Sequence, residues 1–150
     1  MEKNKSLQHL IIPERRRVIK ENELSLEERE DLLSVEMPDS VTVIKDSAFW
    51  GCRNLETVKL SKKLKTIGPS AFKNCYNLKS ITLPEGLESI ADSAFFKCFE
   101  LKKIVIPQSV KSIGEYAFGQ SRNLTIMIPK HTSVSENAFH DAFQCTIERY

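Results

Sequence analysis

One interval of 23 residues recurs along most of this chain. The dipeptide Ala-Phe occurs at this interval at 48–49, 71–72, 94–95 and 117–118, and a further copy follows at 138–139. The same spacing separates three cysteines, four leucines and four isoleucines: Cys52, Cys75, Cys98; Leu55, Leu78, Leu101, Leu124; Ile44, Ile67, Ile90, Ile113. A period in this range is the signature of a solenoid, in which each unit packs on its two neighbours.

The repeat unit reads L-x-x-I-x-L-P-x-x-L-x-x-I-G-x-x-A-F-x-x-C-x-N. Its first segment alternates apolar and polar residues, as a strand with one buried face does. Proline then ends the strand because it has no N–H to donate. The second apolar pair predicts another short extended segment. Asp-Ser or Pro-Ser before Ala-Phe predicts a short helix of about two turns, with Phe and Cys on one face.

These units predict a single α/β domain, a right-handed solenoid of about six strand–turn–short-helix units with a parallel sheet. Regular repeats cover 32–123. Residues 1–31 form a degenerate first unit or cap, and 124–150 form a shortened unit and a closing strand. In the first unit, Ser25 and Glu28 predict a capping box at the start of an acidic helix near 26–34.

Net charge and the lengths of the apolar runs argue against nucleic acid and the membrane interior as partners. Lys and Arg number 22 and Asp and Glu 20, so the net charge of +2 lacks the basic excess of a nucleic-acid-binding domain. No apolar run approaches the roughly 20 residues of a membrane helix, so no membrane insertion is expected. The apolar stretch near the N-terminus is too short for a signal peptide, which predicts a cytoplasmic protein if Met1 is the native start.

The sequence contains few candidates for catalytic, metal-binding or cofactor-binding residues. The cysteines allow two interpretations, a disulfide or metal framework or a column of buried thiols, and their shared repeat position favours the second. The histidines have no metal-ligand spacing, and five glycines build no phosphate-binding loop. We therefore predict no catalytic residue, cofactor or metal. An enzyme, the least favoured class, would need a pocket of converging titratable groups.

Candidate binding residues fall on two sides of the unit. Outward strand positions form a variable surface typical of solenoid binding sites. They are Glu36, Lys59, Thr82 and Val105 and, two residues earlier in their strands, Thr57, Ser80 and Lys103. Trp50 and Phe96 follow the phenylalanine of the repeat on the helix side. Exposed aromatics act as interface anchors, but the favoured interpretation is that these two rings pack between adjacent helices.

The unit L-x-x-I-x-L-P-x-x-L-x-x-I-G-x-x-A-F-x-x-C resembles the BspA-type leucine-rich repeat, a class associated with bacterial cell-surface proteins. The resemblance is strong over 32–123, recognisable over 124–147 and degenerate over 1–31. It implies a curved solenoid for protein–protein adhesion, without a catalytic motif. A cell-surface or secreted location is therefore the alternative to the cytoplasm.

The functional prediction is a non-catalytic module that binds a protein or peptide through an extended solenoid surface. The alternative is a self-assembling structural repeat protein, or a fragment of a longer surface protein. In either case we expect a monomer or a weak homodimer formed through a terminal strand edge, because unprotected strand edges pair.

Overall fold

A computed structural model describes residues 8–150 as a parallel solenoid of about six turns. Each turn contributes one strand to each of two faces. The first strand face contains β1 (His9–Ile11), β3 (Ser34–Glu36), β5 (Thr57–Lys59), β7 (Ser80–Ile81), β9 (Lys103–Val105), β11 (Thr125–Ile128) and β13 (Thr146–Arg149). The second strand face contains β2 (Val18–Ile19), β4 (Val43–Ile44), β6 (Thr66–Ile67), β8 (Ser89–Ile90), β10 (Ser112–Ile113) and β12 (Ser133–Val134).

The repeat sets the register of both faces. Equivalent residues of successive turns lie opposite each other, as Val35 does to Val58 and Ile67 to Ile90. The second strand face is one continuous sheet in the order β12-β10-β8-β6-β4-β2. The first strand face divides into β1-β3-β5-β7 and β13-β11-β9, so β7 and β9 are neighbours that do not pair.

The helix predicted in the first unit is present as α1 (Leu26–Asp31). Its capping box is confirmed: the Ser25 hydroxyl accepts a hydrogen bond from the Glu28 amide, and the Glu28 carboxylate accepts one from the Ser25 amide. The helix is shorter than predicted because Leu32 already has extended backbone angles, φ −68° and ψ 121°.

The prediction of a short helix in every regular unit is wrong. The residue before Ala-Phe is left-handed in the four copies spaced by 23 residues, with φ of 55° at Ser47, 54° at Ser70, 57° at Ser93 and 55° at Tyr116, and this interrupts α-helical bonding. The Phe49 amide donates instead to the Ala71 carbonyl of the next turn, at 2.8 Å. The segments around Ala-Phe are therefore consecutive turns bonded sideways to the adjacent unit. We call this third side the turn face.

Phenylalanine rings form the centre of the core. The first four are fully buried and the fifth is half-buried: Phe49, Phe72, Phe95, Phe118 and Phe139. Successive centroids lie 5.3, 5.5, 5.4 and 5.7 Å apart, with interplanar angles of 14° or less. Each inner ring therefore stacks on two others, in the offset geometry that aromatic pairs favour.

The three repeat cysteines form a column of buried, free thiols, as the favoured interpretation predicts. The Cys75 thiol donates to the Phe49 carbonyl and the Cys98 thiol to the Phe72 carbonyl, each at 3.3 Å. Burial raises the pKa of Cys52 to about 12 and raises the pKa of Cys75 and Cys98 as well. These thiols act as small core residues, because only the thiolate is nucleophilic.

Candidate binding surfaces

The strand-face candidates all lie on the solvent side of the first strand face. Along these strands buried residues alternate with exposed ones, so the apolar side chains point inward and their neighbours point out. The seven candidates are exposed: Glu36, Lys59, Thr82, Val105, Thr57, Ser80 and Lys103. Their equivalent positions in successive turns place them in two adjacent columns, which gives this face an extended and varied surface.

The charges on this face neutralise one another between turns. The Lys59 ammonium donates to the Glu36 carboxylate on the neighbouring strand, and this hydrogen bond raises the pKa of Lys59. The Lys79 ammonium lies 2.7 Å from the Glu56 carboxylate, again one turn earlier. The N-terminal half of the first strand face therefore carries paired charges.

A groove of about 380 Å³ opens on this face where β7 and β9 do not pair. Its walls include four of the predicted residues, Ser80, Thr82, Lys103 and Val105. Val105 is 44% exposed and supplies an apolar side chain to the groove. The structure thus brings these four together. Glu36, Thr57 and Lys59 line a second groove, of about 330 Å³, nearer the N-terminus of the same face.

The two predicted aromatic residues lie on the turn face, away from the groove. Trp50 is 42% exposed, and its carbonyl accepts a hydrogen bond from Arg29. Phe96 is half-buried and lies against Gly119, where an added Cβ would come within 2.7 Å of the ring. Trp50 is therefore exposed, whereas Phe96 packs between turns.

Sequence reasoning missed two arginines on the turn face. Arg53 and Arg122 occupy the same repeat position as Tyr76 and Phe99, and the rings of those two stack with centroids 5.1 Å apart. Arg53 lies over Tyr76 and Arg122 over Phe99. The 23-residue interval that identified the core columns would have identified this surface column too.

The strand beyond β11 is exposed, and apolar side chains lie in it and beside it. β13 is the outer strand of its sheet, and all four of its residues are exposed. Ile147 is 48% exposed and Phe143, before the strand, 63%. The unpaired edge of such a strand offers backbone hydrogen-bonding groups to another chain.

Two further properties concern residues 8–150. No group of three or more His, Cys, Asp or Glu side chains in this range is arranged to hold a metal ion. Within the same range, no helix has the length and apolar character needed to cross a membrane.

Stacked parallel strands, like-residue columns and varied outward positions define a solenoid repeat protein. The family model for the BspA type leucine rich repeat region matches residues 26–146 in six copies. The chain therefore belongs to the BspA-type leucine-rich repeat family, whose members are typically surface proteins. A comparison with curated protein sequences found no match.

Three solved structures share the fold. The leucine rich repeat protein of T. pallidum is 22% identical, with a TM-score of 0.76 over 95% of this chain and 73% of that one. A leucine rich cell surface protein of Faecalibacterium prausnitzii is 28% identical, with a TM-score of 0.66 over 97% of this chain and 48% of that one. A leucine-rich repeat protein of Bacteroides ovatus is 24% identical, with a TM-score of 0.71 over 90% and 45%. The chain spans less than half the length of the last two.

Proposed function

We propose that this chain is a non-catalytic protein-interaction module that binds a protein or peptide segment on its first strand face. The observation that carries the proposal is the groove at the unpaired step between β7 and β9. It combines an exposed apolar side chain, Val105, with the hydroxyl of Thr82 and the ammonium of Lys103. Apolar contact with a few polar groups is the usual composition of a specific interface.

The regular stack also favours an extended ligand. Outward side chains of successive turns repeat at the strand spacing of about 4.8 Å, so a segment that runs along the solenoid meets one turn after another. The groove lies among the regular repeats, where the rigid stack fixes its walls, so little conformational entropy is lost when a ligand binds.

The test is a capture experiment from lysates of the source cell and of any host it meets. The groove variant carries Thr82→Glu and Val105→Glu, two exposed changes that keep the core intact. The matched control carries Ser112→Glu and Ser133→Glu, which add the same charge to exposed positions of the second strand face. We expect a partner that wild type and control capture and the groove variant loses. Equal capture by all three proteins would place the binding site elsewhere. Failure of the wild type to capture any partner would count against the proposal that the chain is an interaction module.

A second candidate function is self-assembly, favoured by the exposed edge of β13 and its apolar neighbours Phe143 and Ile147. Light scattering after size-exclusion chromatography would then give a mass that rises with concentration. The change Ile147→Lys would return that mass to the monomer value. A monomer at every concentration contradicts this candidate and leaves the first untouched.

We further propose a cell-surface location, in line with the family and with the F. prausnitzii protein. Protease treatment of intact source cells should then degrade the protein and spare a cytoplasmic marker. Protection from the protease equal to that of the marker would indicate a cytoplasmic location instead.

A further inference from the structure

Two arginines and two aromatic rings form a single stack on the turn face. Arg53, Tyr76, Phe99 and Arg122 follow one another at 23-residue intervals and so lie in successive turns. The Arg53 guanidinium carbon is 5.7 Å from the centre of the Tyr76 ring, and the Arg122 guanidinium carbon is 4.6 Å from that of Phe99. We call these four residues the arginine-aromatic column.

Among residues 8–150, neither guanidinium group forms a side-chain hydrogen bond or an ion pair. Stacking on a ring fixes the guanidinium plane and leaves its N–H edges free. Among residues 8–150, the arginines whose side chains donate hydrogen bonds to the protein are Arg16, Arg29 and Arg149. Arg53 and Arg122 are exposed, so each offers the planar donor group that matches a carboxylate in a two-point contact.

Two lysines extend the positive surface. The ammonium groups of Lys73 and Lys97 lie 5.1 and 5.5 Å from the centre of the Phe96 ring. In the described part of the chain neither forms an ion pair, whereas the nearby Glu100 is 3.8 Å from Lys102. Exposed carboxylates do border the other margin of the turn face, at Asp46, Asp92 and Glu115. The acidic helix α1 lies at the Arg53 end, where the Glu30 carbonyl accepts a hydrogen bond from Asn54, so the positive charge is concentrated on the part of this face that carries Lys73, Lys97 and Arg122.

We propose that the arginine-aromatic column binds an extended acidic segment of a partner protein that runs along the solenoid axis. Arg53 and Arg122 are three turns apart, or about 14 Å at a strand spacing of about 4.8 Å. An extended chain covers that distance in about four residues, and residues that far apart point to the same side. Carboxylates about four residues apart therefore reach both guanidinium groups.

The surroundings of Arg122 also favour a peptide as the ligand of the arginine-aromatic column. Arg122 lines a groove of about 490 Å³ together with Gln120, Asn123 and Gln144, whose amides add donors for a carboxylate or a peptide carbonyl. Asp141 is the carboxylate in this groove, and it lies 3.4 Å from the His140 ring. Base stacking by a nucleic acid is disfavoured, because Tyr76 and Phe99 are covered by each other and by the arginines.

Fluorescence anisotropy at low ionic strength tests the proposal. The probe is a fluorescein-labelled peptide of alternating glutamate and threonine, about twelve residues long, which presents its carboxylates on one side when extended. We expect binding to wild type that weakens as salt is added. The double variant Arg53→Gln, Arg122→Gln should bind roughly five- to ten-fold more weakly, as two exposed charge contacts allow.

The matched control is Lys59→Gln with Lys79→Gln, which makes the same change in net charge on the first strand face. It should alter the affinity less than about two-fold, since those lysines already pair with Glu36 and Glu56. The variant Arg53→Lys, Arg122→Lys should fall between wild type and the glutamine variant, because lysine lacks the planar fork. Should the glutamine variant not fold, as judged by circular dichroism, Lys73→Gln with Lys97→Gln tests the same surface.

Four results would overturn the proposal. The first is no binding of the peptide by wild type, and the second is equal weakening by the Arg53→Gln, Arg122→Gln variant and by the Lys59→Gln, Lys79→Gln control. The third is tighter binding of an oligothymidylate of the same length than of the peptide. The fourth is self-association of the wild type that the arginine-to-glutamine changes abolish. The oligothymidylate result would assign the surface to nucleic acid, and the last result to a second copy of this chain. The strand-face groove is not involved in this test, so the function proposed above stands or falls separately.

Discussion

The stacked phenylalanine column should contribute more to stability at its centre than at its end. Phe95 is fully buried and stacks on Phe72 at 5.5 Å and on Phe118 at 5.4 Å. The change Phe95→Leu removes both ring pairs, each contributing about 0.5–1.5 kcal/mol beyond its buried area. The lost volume adds about 1 kcal/mol. We therefore expect the free energy of unfolding to fall by about 2–4 kcal/mol.

Phe139 provides the matched control. It is half-buried and stacks on one ring, that of Phe118, at 5.7 Å. Phe139→Leu should cost about 1 kcal/mol, since it removes one pair and leaves a site that solvent can reach. Urea unfolding followed by circular dichroism gives both values, with equal slopes required for the comparison. If the two variants lose the same stability, stacking does not set the contribution of the column.

A double-mutant cycle isolates the ring contact itself. Phe72 and Phe95 stack directly, so their leucine variants should couple by about 0.5–1.5 kcal/mol. Phe49 and Phe95 are separated by Phe72, and their variants should be additive within about 0.5 kcal/mol. Equal coupling in the two cycles would show that the losses reflect general loosening of the core, and would refute the pairwise argument.

Three further predictions concern the backbone, the first unit and the thiols. Gly51→Ala should cost about 1 kcal/mol in urea unfolding, because φ is +74° there while the added Cβ meets no atom within 4 Å. Arg29→Met should cost about 1.5–3 kcal/mol, seen as a lower Tm, because the buried guanidinium donates to the carbonyls of Leu24 and Trp50. The free energy of unfolding should fall above about pH 9, by about 1.4 kcal/mol per pH unit for each buried thiol. Above that pH the thiol ionises in the unfolded chain, whereas burial raises the pKa of Cys52 in the folded protein to about 12. The contribution of the thiol to stability is therefore complete below pH 9 and decreases as the pH rises towards 12. The free energy of unfolding of the Cys52→Ala variant should decrease less steeply over this range.

The period and its consequences were predictable from the sequence. A residue repeated every 23 positions has its equivalent directly above and below it, so the pairing of Val35 with Val58 follows from alignment alone. The buried column of Cys52, Cys75 and Cys98 follows in the same way. The capping box at Ser25 was also predictable, because both of its hydrogen bonds are local.

The missing helices were not predictable by the same reasoning. Serine before Ala-Phe is a common helix start, but here Ser47 is left-handed and the Phe49 amide donates to Ala71 in the next turn. That partner is supplied by the stack, which local propensity does not include. The unpaired step between β7 and β9 was equally hidden, because the repeat keeps its spacing there and Ser80 and Lys103 occupy equivalent positions.

The same stacking explains why the two candidate surfaces differ in charge. In a solenoid, the neighbours of a surface side chain are set by the residues one period away. For Lys59 and Lys79 those residues include Glu36 and Glu56, so the positive charges are neutralised within the first strand face. For Arg53 and Arg122 they are aromatic rings, which orient a guanidinium without neutralising it. A charge that the column itself leaves unpaired is available to a ligand, and this makes the turn face, rather than the paired part of the strand face, the place to look for an acidic partner.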